Sequence, residues 1–190
     1  MNIGEVLYYA PGIKFTALVN AGDKSLIDAF EKRINGYYLD AADVLNKNKH
    51  AFGAGDLCFD AIDAVAGHEF GRKRGQQGER FKKWISKLPD FKKLSWGELE
   101  MVYDDFRNGV THEARIKHAG QFTYEIGRAV YIEENRVMIN PKILLDQLRE
   151  EFLNYIDVAK QNPEAASRLS NSIRKDIEED FYYKHNNRSG

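Results

Sequence analysis

The stretch SWGELEMVYDDFRNGVTH, residues 95–112, decides how the rest of the chain reads. Ser95 followed by Glu98 is a capping-box pattern: the serine oxygen accepts from a backbone N–H of the first turn, and the glutamate reaches back to the cap. Leu99, Val102, Tyr103 and Phe106 recur at spacings of three and four, so they share the inward face of an amphipathic helix. Asn108-Gly109 is the expected stop, because both residues tolerate positive φ. The helix therefore delivers Arg107 and Asn108 to its end, with His112 just beyond.

Outward from this element the periodicity stays helical. Asp23 is placed to cap a long helix to about Asn46, with Leu26, Ile27, Phe30 and Ile34 on one stripe. Gly36 weakens that helix without breaking its pattern. A glycine-containing linker, Phe52 to Gly55, is expected to lead into a second helix from Asp56 to about Ala66. GRKRGQQGER, residues 71–80, reads as a mobile loop. Phe81, Trp84, Ile85 and Leu88 mark a third helix, stopped by Pro89. Gln121–Ile126 and Arg128–Glu133 are rich in aromatic and branched residues, and Glu134-Asn135 is placed to turn the latter into Arg136–Ile139 as a small hairpin. Asn140-Pro141 and Asn162-Pro163 each pair a cap with a proline at the first helical position, opening two C-terminal helices. Residues 1–22 read as a short strand or extended arm, and residues 183–190 as a disordered tail. The predicted fold is mainly α: a single domain over residues 1–190, a helical bundle with a small β-hairpin.

Composition narrows the function classes. With 190 residues, 43% hydrophobic and 30% charged, the chain can bury a sizeable core. There is no apolar run of membrane-spanning length and no secretory pattern at the N-terminus, so no membrane association is expected. The lone Cys58 excludes an internal disulfide and suits a reducing compartment, so a cytoplasmic location is expected. Cys58 itself, in an apolar stretch, reads as a small core residue. The net charge of -1 is spread unevenly: Arg72, Lys73, Arg74, Arg80, Lys82 and Lys83 crowd one segment. Such a segment attracts a phosphate backbone, or is simply a solvated basic face.

Arg107 and His112 carry the one local pattern with a chemical reading. Arginine is permanently charged and forks onto phosphate oxygens, and histidine moves protons near neutrality. Together they suit RNA cleavage by attack of the 2′-hydroxyl on its own phosphate, which requires no metal and no cofactor. Arg107-Asn108 followed by His112 resembles the Arg-x(4–6)-His signature of the HEPN superfamily, in which a polar residue often follows the arginine. The resemblance implies a HEPN-like helical bundle, commonly a homodimer, acting as a ribonuclease in toxin–antitoxin or antiviral defence systems. It implies that Arg107 binds and stabilises phosphate, that His112 transfers protons and that Asn108 contacts or orients the backbone. RNA is the implied ligand, and an antitoxin or a nucleotidyltransferase the implied protein partner. Two other readings stay open: a non-catalytic HEPN-like interaction or nucleic-acid-binding module, and Arg107 and His112 merely complementing a helix dipole. Asp56, Asp60 and Asp63 share a helix face that reads as solvated rather than metal-binding. Asp104 and Asp105 either help to set the charge on His112 or are ordinary surface acids, and His118 reads as incidental.

Overall fold

Helices hold most of the chain, as the spacing of its apolar residues requires. The computed structural model describes residues 2–3, 6–109, 116–118 and 120–186. Two compact units emerge, Met1–Tyr37 with Asn154–Gly190, and Tyr38–Leu153.

In the first unit, the short strand expected among residues 1–22 is present, as part of an antiparallel three-stranded sheet rather than an arm: β1 (Asn2–Ile3), β2 (Val6–Ala10) and β3 (Ile13–Lys14), followed by a 3-10 turn over Phe15–Ala17. Pro11-Gly12 turns β2 into β3, and Gly12 takes the positive φ of 72° that such a turn demands. Helix α1 (Asp23–Ile34) buries Leu26, Ile27, Phe30 and Ile34. It packs on the last helix of the chain, Pro163–Asn186, whose Leu169, Ile173 and Ile177 are also buried. Asp23 does not cap α1, since Gly22 holds that position; its carboxylate instead accepts from Arg174 Nη2 at 2.7 Å. The final helix reaches Asn186, past the start of the expected disordered tail.

The long helix expected from Asp23 to Asn46 is interrupted. After α1 a π-helical segment, Asn35–Leu39, intervenes before α2 (Asp40–Lys47). Gly36 explains the close packing there: a Cβ at this position would lie 2.5 Å from Pro11 Cγ.

The second unit is built on α3 (Ala51–Phe70). The expected linker Phe52–Gly55 is in fact part of this helix. Gly55 sits there because the ring of Phe122 lies against the backbone, and a Cβ would meet it at 2.0 Å. Tertiary contact thus overrides the low helix propensity of glycine. Phe59 is the hub of an aromatic core, with ring centroids 5.7 Å from both Phe81 and Phe106. Phe106 meets Phe122 edge-on at 4.9 Å. Cys58 is fully buried, and burial pushes its thiol pKa up, in keeping with a core residue.

The expected hairpin forms from β5 (Val130–Glu133) and β6 (Arg136–Ile139), with Glu134 and Asn135 at φ of 47° and 63°. Of Gln121–Ile126 only β4 (Gln121–Phe122) is a strand, parallel to β6, so the sheet order is β4-β6-β5. Asn140 diverts the rest: its amide donates to Ile126 O at 2.8 Å while its Oδ1 accepts from Lys142 N at 3.0 Å, capping the helix Pro141–Gln161. Asn162 caps the following helix in the same way, accepting from Glu164 N at 2.9 Å. No helix among the described residues is long and apolar enough to cross a membrane.

Candidate functional site on the helix after Ser95

The capping box is present. Glu98 N donates to Ser95 Oγ at 3.3 Å and Ser95 N donates to Glu98 Oε2 at 2.7 Å, starting α5 (Trp96–Val102). The α-helix then widens into a π-helical segment, Tyr103–Asn108. Gly109 closes this segment with a helical φ of -62° rather than the positive φ expected of a glycine stop, and its N–H bonds Asp104 O, five residues back. A π segment is an unusual backbone state that occurs often at functional sites. Here it holds Asp104, Asp105, Arg107 and Asn108 together. His112 lies outside the described residues.

Arg107 projects toward α3. Its Nη2 donates to Asp63 Oδ2 at 2.7 Å, and the other oxygen of Asp63 accepts from Arg80 Nη2 at 3.4 Å, an arginine on α4 (Gln77–Ile85). All three side chains are largely buried, at 17%, 15% and 11% exposure for Arg107, Asp63 and Arg80. Burial opposes the charge on Arg107, but the hydrogen bond and charge of Asp63 outweigh it, so its pKa moves up and the guanidinium stays cationic. The Nε atoms of Arg80 and Arg107 are both buried without a hydrogen-bond partner among the described residues.

The acidic stripe is therefore not a uniformly solvated face. Asp63 is consumed by two arginines, while burial raises the carboxyls of Asp56 and Asp60, with Arg107 pulling the other way on both. Counting Asp56, Asp60 and Asp63 against Arg80 and Arg107, three acids face two bases. No group of three or more His, Cys, Asp or Glu suited to a metal ion occurs among the described residues.

The remaining polar residues of the π segment are also engaged. Asn108 Nδ2 donates to Asp104 Oδ1 at 2.9 Å. Asp105 is buried, and its Oδ1 meets His118 Nδ1 at 2.7 Å. His118, incidental in the sequence reading, is thus the residue that spacing alone missed. Its signal was faint: a buried acid with a histidine 13 residues on, brought back by a turn.

The basic segment divides in two. Arg80 is committed to Asp63. Lys82 is buried, pairs with Glu100 and stacks over Trp96 at 4.5 Å from the ring centroid. Lys83 pairs with Glu79 at 3.7 Å. Arg72 lies 3.3 Å from His68 Nε2, so it too has a partner. Lys73 and Arg74 are exposed on the loop before α4, which turns at Gly71 and Gly75 with φ of 82° and 80°. The structure thus brings Arg80 and Arg107 together and leaves Lys73 and Arg74 on a surface loop.

No family model, no curated protein and no solved structure matches the chain.

Proposed function

We propose that the chain is a HEPN-type endoribonuclease that cleaves RNA by 2′-hydroxyl attack without a metal, working as a cytoplasmic homodimer in a defence or toxin system. The observation that carries this reading is the fixing of Arg107 and Asn108 on the π-helical turn just ahead of His112. Arg107 is anchored by Asp63 at 2.7 Å and Asn108 by Asp104 at 2.9 Å. A guanidinium held through one nitrogen keeps other N–H groups for a phosphate and loses little side-chain freedom on binding it. In this reading Arg107 offsets the charge that builds on the phosphate, His112 moves a proton and Asn108 contacts the backbone. Lys73 and Arg74 extend the contact with RNA.

A second reading, a non-catalytic HEPN-like module for binding RNA or a partner protein, is favoured by the same ion pair. Asp63 already balances Arg107, and the flanking Asp56 and Asp60 repel a phosphate. Incubation of the purified chain with labelled RNA in EDTA separates the two. Cleavage by wild type that is lost in Arg107→Ala and His112→Ala supports the nuclease. Cleavage equal in all three proteins overturns the site, and RNA retention without cleavage supports the second reading.

A further inference from the structure

The hairpin leaves one strand edge open. In the sheet order β4-β6-β5, β5 pairs with β6 on one side only. The register decides which backbone groups are left over. Glu133 and Arg136 close the two-residue turn, so Glu133 and Tyr131 are the residues that bond to β6. Asn140 N donates to Ala129 O at 3.0 Å in the same phase. Val130 and Ile132 lie between these bonded positions, so their N–H and C=O groups point away from β6. Both residues line a groove of about 440 Å³, whose other wall is Lys93, Leu94 and Glu98, from the 3-10 turn Phe91–Lys93 and the start of α5. We propose that this groove binds an extended acidic segment of a partner protein, which adds to β5 as a further strand. The inference stands apart from the ribonuclease reading.

Three observations carry it. First, the open edge offers two N–H and two C=O groups at alternate residues, the pattern that an added strand pairs with. Second, the two walls are joined before any ligand arrives. Asp90 Oδ2 accepts from Ala129 N and from Gln147 Nε2, both at 2.7 Å, and so ties the turn before Phe91 to the head of β5. A groove held in this way loses little freedom on binding.

Third, the uncommitted charges are positive. Asp90 is engaged as above, and Glu98 Oε2 accepts from Ser95 N and Ser95 Oγ, at 2.7 Å each. Lys93 and Arg128 are exposed and have no ion pair among the described residues. Arg128 lies over the Tyr131 ring, 5.6 Å from its centroid, which holds its charge at the groove.

The same lining favours a peptide over a nucleic acid. A polynucleotide carries a phosphate at every residue and would run its charges past Asp90 and Glu98. A peptide can set one carboxylate at Lys93 and Arg128 and keep its other side chains neutral. Leu94 and Tyr131, the latter 36% exposed, give those side chains apolar surface. With four residues in β5, the paired segment spans about 13 Å.

The test selects a displayed library of random short peptides on the purified chain, then measures the enriched peptides by fluorescence anisotropy. They are expected to alternate apolar residues and to carry an acidic one. N-methylation of the peptide nitrogens that face β5 should abolish binding, and N-methylation of the alternate set should leave it intact. Ile132→Pro removes an edge N–H that β6 does not use and should weaken binding about tenfold. Lys93→Glu combined with Arg128→Glu should also weaken it about tenfold. Absence of enrichment, or binding indifferent to N-methylation and to Ile132→Pro, overturns the proposal. Enrichment without acidic residues, unmoved by the charge reversals, overturns the acidic partner. A labelled oligouridylate that binds wild type but not the charge-reversed chain, with no peptide enriched, would give the groove to nucleic acid. A dimer in sedimentation that Ile132→Pro dissociates would give the edge to a second copy of the chain. Either result overturns the proposal. Far-UV circular dichroism checks the fold of each variant, and the N-methylated peptides decide the matter on wild type should the proline variant not fold.

Discussion

Two π-helical segments occur among the described residues, and they differ in what holds them. Asn35–Leu39 follows α1 where Gly36 meets Pro11, at a distance that no side chain could share. Tyr103–Asn108 follows α5 where polar and charged residues are each met by a partner: Arg107 by Asp63, Asn108 by Asp104 and Asp105 by His118. One distortion accommodates apolar packing, and the other arranges polar and charged side chains. The same backbone state is thus a packing solution in one place and a candidate chemical site in the other. The nature of the side chains, not the helix type, separates them.

Substitutions at the two segments break or sharpen this contrast. The largest effect is expected from Asp63→Ala, which strands Arg80 and Arg107 in a largely buried site and should cost about 3 kcal/mol. Urea denaturation measures it; a loss near zero would mean that the ion pairs do not hold the second π segment. Gly36→Ala should cost about 2 kcal/mol by overpacking against Pro11 yet leave RNA cleavage unchanged. A fall in cleavage with unchanged stability would erase the distinction between the segments. Asn108→Ala removes one hydrogen bond, so about 1 kcal/mol is expected in the same measurement, together with slower cleavage.

The smallest effect concerns Asp60. Burial, then the like charges of Asp56 and Asp63, raise its carboxyl pKa in the folded state, against the pull of Arg107. A raised carboxyl favours the fold while protonated and loses that contribution as pH climbs through its folded value. Asp60→Asn should therefore stabilise the protein at neutral pH by no more than about 0.5 kcal/mol. The gain should shrink on the acid side of the ordinary carboxylate range, where wild-type Asp60 is itself protonated. Thermal melts of both proteins across that range check the sign, and a gain that grows on acidification would contradict it.

Much of the secondary structure was legible because its signals are local. Ser95 and Glu98, Asn140 and Asn162 mark helix starts with their own side chains, and Glu134-Asn135 marks a turn by tolerating positive φ. Gly55 was read as a linker and Gly109 as a stop, since glycine near an apolar run usually punctuates it. Gly55 instead lies within α3, because Phe122 occupies the space of its missing side chain, and Gly109 takes a helical φ where a positive one was expected. In the candidate site, Arg107 and Asn108 stood out by type and spacing. Lys82 was read as a surface base, although Glu100 and Trp96 draw it inward, because side-chain burial depends on neighbours remote in sequence.

The amino-acid order by itself determined the helical character, the hairpin and the placing of Arg107, Asn108 and His112 in one short stretch, since each follows from interactions within a few residues. Only the tertiary structure decided that Asp63 would join Arg80 to Arg107 and that Asp105 would take His118. Those pairs span up to 44 residues, and an ion pair forms only where packing brings two distant side chains out of water together.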